Sequence, residues 1–181
     1  MNTHSNGPVI ITFASPKGGV GKSTNCAALA GALAHRGFPV HVLDLDQTQT
    51  LARWFARNPN ATPGLKVEAV PEDGFMERMR ELWAKSTGFI LVDVAGSFGK
   101  TMIQAATASH LTITPTKLSE PDIVQAAKLH REITDLAAMI GKQLTHRILI
   151  NEVSPLLPTY QRAALAEVER IGTTRFQNLI R

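Results

Sequence analysis

Short apolar runs alternate along this chain with segments in which apolar positions recur at helical spacing. The apolar runs predict six strands, at residues 9–14, 40–46, 65–70, 89–93, 110–115 and 147–151. The other segments predict six helices, at residues 25–36, 51–55, 75–85, 101–109, 120–140 and 160–171. Because strands alternate with helices over connections long enough for crossovers, we expect an α/β domain whose mostly parallel twisted sheet is flanked by helices on both faces. The strand at 65–70 alternates in polarity, which favours a sheet edge.

The first strand leads through a glycine-rich loop, PKGGVGKST at residues 16–24, into a helix. Glycine lacks a Cβ and tolerates positive φ, so such a loop can fold tightly round an anion. Its N–H groups and the positive end of the helix then face a phosphate. We expect Lys22 to reach the β- and γ-phosphates of a nucleotide and the Ser23 hydroxyl to hold Mg²⁺. The loop departs from the standard pattern in having Pro16 in place of its first glycine and an added lysine, Lys17.

Polar side chains end three further strands. Asp44 and Asp46 close the second strand, Asp93 closes the fourth, and Asn151 closes the sixth. Ligands of parallel sheets bind beyond the carboxyl ends of the strands, so these residues are expected to join the loop in one nucleotide site. Two residues apart on a strand, the first two carboxylates would leave the same face. The simpler alternatives are solvated carboxylates at a strand end, a loop or helix-capping aspartate at 93, and a turn residue at 151.

Composition narrows the class of protein. Of 181 residues, 44% are hydrophobic and 19% are charged, which suits one globular domain with a sizeable core. No apolar run approaches the ~20 residues of a membrane span, and residues 1–7 lack the apolar core of a secretory signal. The single cysteine, Cys26, excludes an internal disulfide, fits a reducing cytoplasm and is expected to be a packing residue. The net charge of +4 favours contact with a polyanion only slightly.

Several segments together resemble one family. KGGVGKST at residues 17–24 resembles the deviant Walker A motif of the ParA/MinD family of ATPases, whose defining mark is the extra lysine. ILVDVAGS at residues 90–97 resembles the family's segment around its Walker B aspartate. The order of these motifs with DLD, ARWF, ITPTKLSEPD and LINEV is similar to that of the small ParA/ParF-type partition proteins. One departure is DLDQT at residues 44–48, where the family's common text is DLDPQ.

The resemblance implies a P-loop NTPase fold, ATP or ADP and Mg²⁺ as ligands, and roles for named residues. Lys17 would cross to the phosphates of the other subunit in an ATP-dependent sandwich homodimer, and Asp46 would orient or polarise the attacking water. The catalytic candidates are therefore Lys17, Lys22 and Asp46, and the metal candidates are Ser23, Asp44 and Asp93. The nucleotide-binding candidates are Lys17, Gly18, Gly19, Val20, Gly21, Lys22, Ser23, Thr24 and Asn151.

The resemblance also implies positions for the base and for a switch. Asn151 would lie near the adenine ring, with Pro115 and Thr116 as weaker candidates. Residues 95–97 would form the second switch, which senses the γ-phosphate, with Gly96 as its flexible point. The family continues beyond this sequence with another strand and closing helices, so we expect residues 1–181 to be a ParA-like ATPase domain that lacks those closing elements.

The function implied is a slow, partner-stimulated ATPase that binds DNA nonspecifically and positions or segregates plasmid or chromosomal DNA or another cargo. A ParB-like protein or a cargo adaptor would stimulate hydrolysis, and the protein would be cytoplasmic and nucleoid-associated. The basic candidates for DNA contact lie late in the chain: Arg147, Arg162, Arg170, Arg175 and Arg181. The alternatives are a MinD-like membrane-associated ATPase, which its few late apolar residues disfavour, a conjugation accessory factor of the same fold, and a small-molecule ligase similar to dethiobiotin synthetase.

Overall fold

The computed structural model of the chain describes residues 7–96, 99–170 and 174–180. Its strands are β1 (Val9–Phe13), β2 (Val40–Asp44), β3 (Leu65–Ala69), β4 (Phe89–Asp93), β5 (Leu111–Thr116) and β6 (His146–Ile150). Its helices are α1 (Lys22–His35), α2 (Thr50–Ala56), α3 (Phe75–Lys85), α4 (Lys100–Ala108), α5 (Glu120–Ile140) and α6 (Thr159–Arg170), with a 3₁₀ turn at Glu72–Gly74. The predicted alternation of strands and helices is confirmed over these residues. None of the described helices has the length and apolarity that crossing a bilayer requires.

The described residues form a six-stranded sheet in the order β3-β2-β4-β1-β5-β6, and all its pairings are parallel. The predicted parallel sheet is confirmed, and so is the edge position of β3. The central strand is β1, whose last residue, Phe13, is in register with Asp93 on β4 and Ile113 on β5. The chain passes from one side of β1 to the other at this point, so the loop after β1 opens into the crevice where ligands of such sheets bind.

Helices cover both faces of the sheet. On one face α1 and α2 pack through Cys26, Ala30 and Leu51 against strand residues that include Val42. On the other face α3, α4 and α5 bury a second cluster, and α6 packs beside α5. Cys26 is fully buried in the first cluster, which confirms it as a packing residue.

Two element bounds differ from the prediction and bear on the site. α1 begins at Lys22 rather than at residue 25, because Gly21 adopts left-handed backbone angles (φ 92°, ψ 21°) and serves as its N-cap. β2 ends at Asp44 rather than at residue 46. Asp46 therefore lies in the loop after β2, and the expectation that both carboxylates leave the same face of one strand is wrong.

Residues 174–180 run beside β6. The N–H of Ile148 donates to the carbonyl of Thr174 at 2.9 Å, and the N–H of Phe176 donates to the carbonyl of Ile148 at 2.9 Å. Further along, the N–H of Ile180 donates to the carbonyl of Ile150 at 2.9 Å. The segment thus covers backbone groups that an edge strand otherwise leaves unpaired.

Candidate functional site

The loop between β1 and α1 is shaped to receive an anion. Gly19 and Gly21 have φ angles of 71° and 92°, in the left-handed region that favours glycine. Within the described parts of the chain, the backbone N–H groups of residues 18–24 donate to no acceptor. Those nearest α1 belong to its N-terminus and carry its partial positive charge. Val20 is buried at the base of the loop and Thr24 is exposed on α1, so the loop presents backbone donors rather than side chains. A row of unpaired donors is what the predicted phosphate cradle requires.

Lys22 points back into this loop from the start of α1. Its Nζ donates to the carbonyl of Lys17 at 3.3 Å, and the residue is only 7% exposed. Burial lowers the pKa of Lys22, while the nearby carboxylates of Asp93 and Asp46 act in the opposite direction. A phosphate in the loop would therefore give a buried ammonium a close counter-ion.

Asp93 ends β4 beneath the loop and is 1% exposed. Neither carboxylate oxygen has a hydrogen-bond partner among the described residues. Burial raises the pKa of Asp93 to about 7, the Asp44 carboxylate adds to the rise, and Ser23 and Lys22 act against it. Because an unpaired buried carboxylate is costly, this position is suited to a cation.

The surroundings of Asp93 fit Mg²⁺ rather than a preformed metal cage. No three His, Cys, Asp or Glu side chains converge on a metal position in the part of the chain that is described. Mg²⁺ in nucleotide sites typically takes one or two protein ligands and completes its shell with waters and substrate phosphates. Ser23 and Asp93, which influence each other directly, supply such a partial set of oxygen ligands.

The two other carboxylates have different environments. Asp44 is buried, and its oxygens accept hydrogen bonds from the backbone N–H groups of Asp46 at 3.1 Å and Ala52 at 3.0 Å. Asp46 accepts bonds from the N–H and hydroxyl of Thr48 at 2.8 and 2.7 Å. The backbone bond from Thr48 is the main cause of a lowered pKa at Asp46, which therefore stays ionised near Lys22. Asp44 fixes the start of α2, so its predicted contact with Mg²⁺ stays a prediction.

Asn151 braces the loop from the end of β6. Its Nδ2 donates to the carbonyl of Val20 at 3.0 Å, and the residue is buried. A Cβ at Gly21 would lie 2.2 Å from this same nitrogen. Asn151 is thus brought to the loop as predicted, although its contact is with backbone and its proposed approach to adenine stays a prediction.

Gly96 packs against the underside of the loop. A Cβ there would lie 3.1 Å from Nζ of Lys22 and 3.3 Å from Cα of Gly18. The chain after β4 therefore touches both the loop and its lysine, as a γ-phosphate sensor must. Ser97, the last residue of the predicted switch, lies outside the described residues.

Lys17 lies at the rim of the loop, with its side chain 47% exposed. Its Nζ is 3.2 Å from Oδ1 of Asp122, a carboxylate in the first turn of α5 whose side chain is 9% exposed. Sequence reasoning missed this pairing. The pattern Ser119 to Asp122 after a strand does predict a helix start, and β5 lies beside β1, so topology alone would have placed this start near the loop.

The late basic residues predicted to contact DNA are engaged within the chain. Arg170 pairs with Glu167 at 2.6 Å and Arg175 pairs with Glu169 at 2.9 Å. The other two described candidates donate to backbone carbonyls, Arg147 to that of His146 and Arg162 to that of Leu157, each at 2.9 Å. Arg181 lies outside the described residues.

A family comparison accords with this geometry. Residues 11–180 match the family described as the CobQ/CobB/MinD/ParA nucleotide binding domain. The chain belongs to this family. It is 25% identical to protein ParA of Rhizobium radiobacter, over 84% of this chain and 68% of ParA. It is 32% identical to protein virC1 of Rhizobium rhizogenes, over 85% of this chain and 69% of virC1.

Solved structures share the fold. A plasmid partition protein from Borrelia burgdorferi B31 bound to AMPPNP gives a TM-score of 0.73 at 17% identity, covering 96% of this chain and 83% of that one. Cobyrinic acid a,c-diamide synthase from Mycobacterium smegmatis, with bound ATP analog and magnesium, gives 0.72 at 19% identity, covering 90% and 82%. These likenesses confirm the predicted P-loop α/β fold, and the resemblance to the ParA/MinD family is confirmed with it.

Proposed function

We propose that this chain is a slow Mg²⁺-dependent ATPase that dimerises with ATP, binds DNA nonspecifically and positions DNA or another cargo. The observation that carries the nucleotide part is the unpaired, buried Asp93 beside Ser23 and Lys22, under a loop of unpaired N–H donors. The positioning part is supported by the names of a relative, ParA, and of a structural neighbour, the plasmid partition protein bound to AMPPNP.

Each group at the loop has a task in this proposal. The N–H groups and Lys22 bind the β- and γ-phosphates and offset the charge that develops on the transferred phosphoryl group. Ser23 and Asp93 hold Mg²⁺, which when bound neutralises phosphate charge. Asp46, kept ionised by its hydrogen bonds to Thr48, orients the attacking water.

Lys17 supplies the proposed switch between monomer and dimer. Asp122 alone among the described residues forms an ion pair with it. In a face-to-face dimer each Lys17 would leave this carboxylate for the triphosphate of the other subunit, which is the more highly charged anion. Association then requires ATP, and hydrolysis releases the subunits.

Partners follow from the same proposal. DNA binding without sequence preference rests on neutralised phosphates, and a ParB-like protein or cargo adaptor would stimulate hydrolysis at a cytoplasmic, nucleoid-bound dimer. The likeness to cobyrinic acid a,c-diamide synthase makes an ATP-dependent synthase the second candidate. Hydrolysis stimulated by DNA in the absence of any small substrate counts against that candidate.

The test compares Lys17→Ala with Lys128→Ala, an exposed lysine whose weak ion pair to Glu132 lies at 4.0 Å on α5. We expect Lys17→Ala to bind nucleotide but to stay monomeric with Mg²⁺ and a non-hydrolysable ATP analogue in analytical ultracentrifugation. Lys128→Ala should dimerise like the wild type. ATP-dependent dimers of Lys17→Ala at wild-type strength would refute the exchange of lysines between subunits.

A further inference from the structure

One face of α2 is basic and aromatic. Arg53, Trp54 and Arg57 are all exposed, and at their spacing they share one side of the helix. The indole of Trp54 is 60% exposed, although large aromatic side chains usually bury most of their surface. It stands edge-to-face on Phe55, with ring centroids 5.0 Å apart and an interplanar angle of 88°. A broad aromatic surface is therefore held out to solvent between two guanidinium groups.

The charges of this face have no internal counter-ions. Neither Arg53 nor Arg57 donates a side-chain hydrogen bond or forms an ion pair within the described residues. Residues 47–67 contain no Asp or Glu, and neither does α1, against which α2 packs. Arg170 and Arg175, at the opposite edge of the sheet, are each matched by a glutamate. Free cationic charge is thus concentrated at α2.

The same helix is tied to the nucleotide site. The N–H of Ala52, next to Arg53, donates to Oδ2 of Asp44 at 3.0 Å. The hydroxyl of Thr48, which donates to Asp46, lies 2.9 Å from the hydroxyl of Thr50 at the start of α2. A shift of either carboxylate on nucleotide binding would therefore be felt by the face that carries Trp54.

We propose that Arg53, Trp54 and Arg57 form a binding surface for single-stranded DNA. The guanidinium groups neutralise successive phosphates, and the indole stacks on an unpaired base, which is the combination that single-strand binding sites use. Duplex DNA hides its base faces and leaves the indole without a partner. This assignment deepens the proposed DNA binding and rests on it for the class of partner, so its test reads DNA binding apart from nucleotide hydrolysis.

The experiment measures binding of fluorescein-labelled oligothymidylate by anisotropy at several salt concentrations. Stacking on one base contributes enough that Trp54→Ala should weaken binding by about fivefold or more, while Trp54→Phe should retain most of the affinity. Arg53→Ala combined with Arg57→Ala should reduce the slope of log K against log salt by about 1.4, which is two phosphate contacts on a single strand. Arg170→Ala, whose charge is already paired, is the matched control and should bind like the wild type.

A second readout reports the stack itself. The chain has two tryptophans, so in a Trp83→Phe background the intrinsic fluorescence comes from Trp54 alone, and oligothymidylate should quench it. Three results would overturn the assignment: unchanged binding by Trp54→Ala, duplex binding as tight as single-strand binding, or equal competition by polyglutamate, which would indicate an acidic protein partner. ATP hydrolysis by these variants should stay at the wild-type rate without DNA. Loss of hydrolysis in the wild type itself would count against the proposed function and leave this surface intact.

Discussion

The two lysines of the phosphate loop occupy contrasting regions of the molecule. Lys22, at the base, is buried and touches backbone, and two carboxylates act on its charge. Lys17, at the rim, is half exposed and held by one carboxylate, Asp122, on a different helix. The base is fixed by packing and by backbone geometry, whereas the rim is held by a contact that another anion can replace.

This difference separates two functions that one motif combines. A binding site gains from a fixed base, because its groups then need no rearrangement when the nucleotide arrives. A switch needs a part with two arrangements of similar free energy. The loop supplies the first with Gly21, Asn151 and Lys22, and the second with Lys17 and Asp122.

The largest effect is expected from Gly21→Ala, which disturbs the base. The added Cβ would lie 2.2 Å from Nδ2 of Asn151 at a residue with φ of 92°. We expect a loss of about 2–4 kcal/mol in the free energy of unfolding and loss of nucleotide binding, measured by chemical denaturation and calorimetry. Adding Asn151→Ala should relieve the clash but leave the backbone strain, so recovery should be partial.

Gly31→Ala is the matched control for that change. Gly31 lies within α1, where an added Cβ meets nothing within 4 Å. Alanine should stabilise the helix by up to about 1 kcal/mol. Equal tolerance of alanine at both glycines would contradict a rigid base.

The next effect concerns Asp93 and pH. Its pKa in the folded chain is about 7, above the ordinary value of 3.8, so between these values the folded state binds more protons than the unfolded state. The free energy of unfolding should therefore fall as pH rises from about 4 to about 7, by at most about 4 kcal/mol, and then level off. Asp93→Asn should remove this slope in denaturation experiments without Mg²⁺, and it should also abolish stabilisation by Mg²⁺ with ATP. A wild-type slope in the variant would place the titration elsewhere.

Sequence predicted the fixed base far better than the rim. Glycine spacing, the lysine in the loop and the aspartate that ends β4 are local patterns whose geometry follows from strand, turn and helix. The Lys17–Asp122 pair and the Asn151–Val20 bond join residues far apart in the chain, so they depend on strand order, which no local pattern states. The bound of β2 was wrong for a related reason. Apolar periodicity continues through Leu45, but the bonds that Asp44 accepts from Asp46 and Ala52 turn the chain away from the sheet.

The smallest effect is expected at the rim, from Asp122→Asn. The amide keeps the shape of the side chain and removes the charge that holds Lys17. Because partly exposed ion pairs contribute about 0–1 kcal/mol, the ATP analogue concentration for half-maximal dimerisation should fall by up to about fivefold. Glu132→Gln, at the Lys128 pair on the same helix, is the control and should change nothing. High salt should narrow the difference from the wild type, since it weakens the pair that the substitution removes. Weaker dimerisation of Asp122→Asn would mean that Asp122 aims Lys17 at the partner's phosphates and does not hold it back.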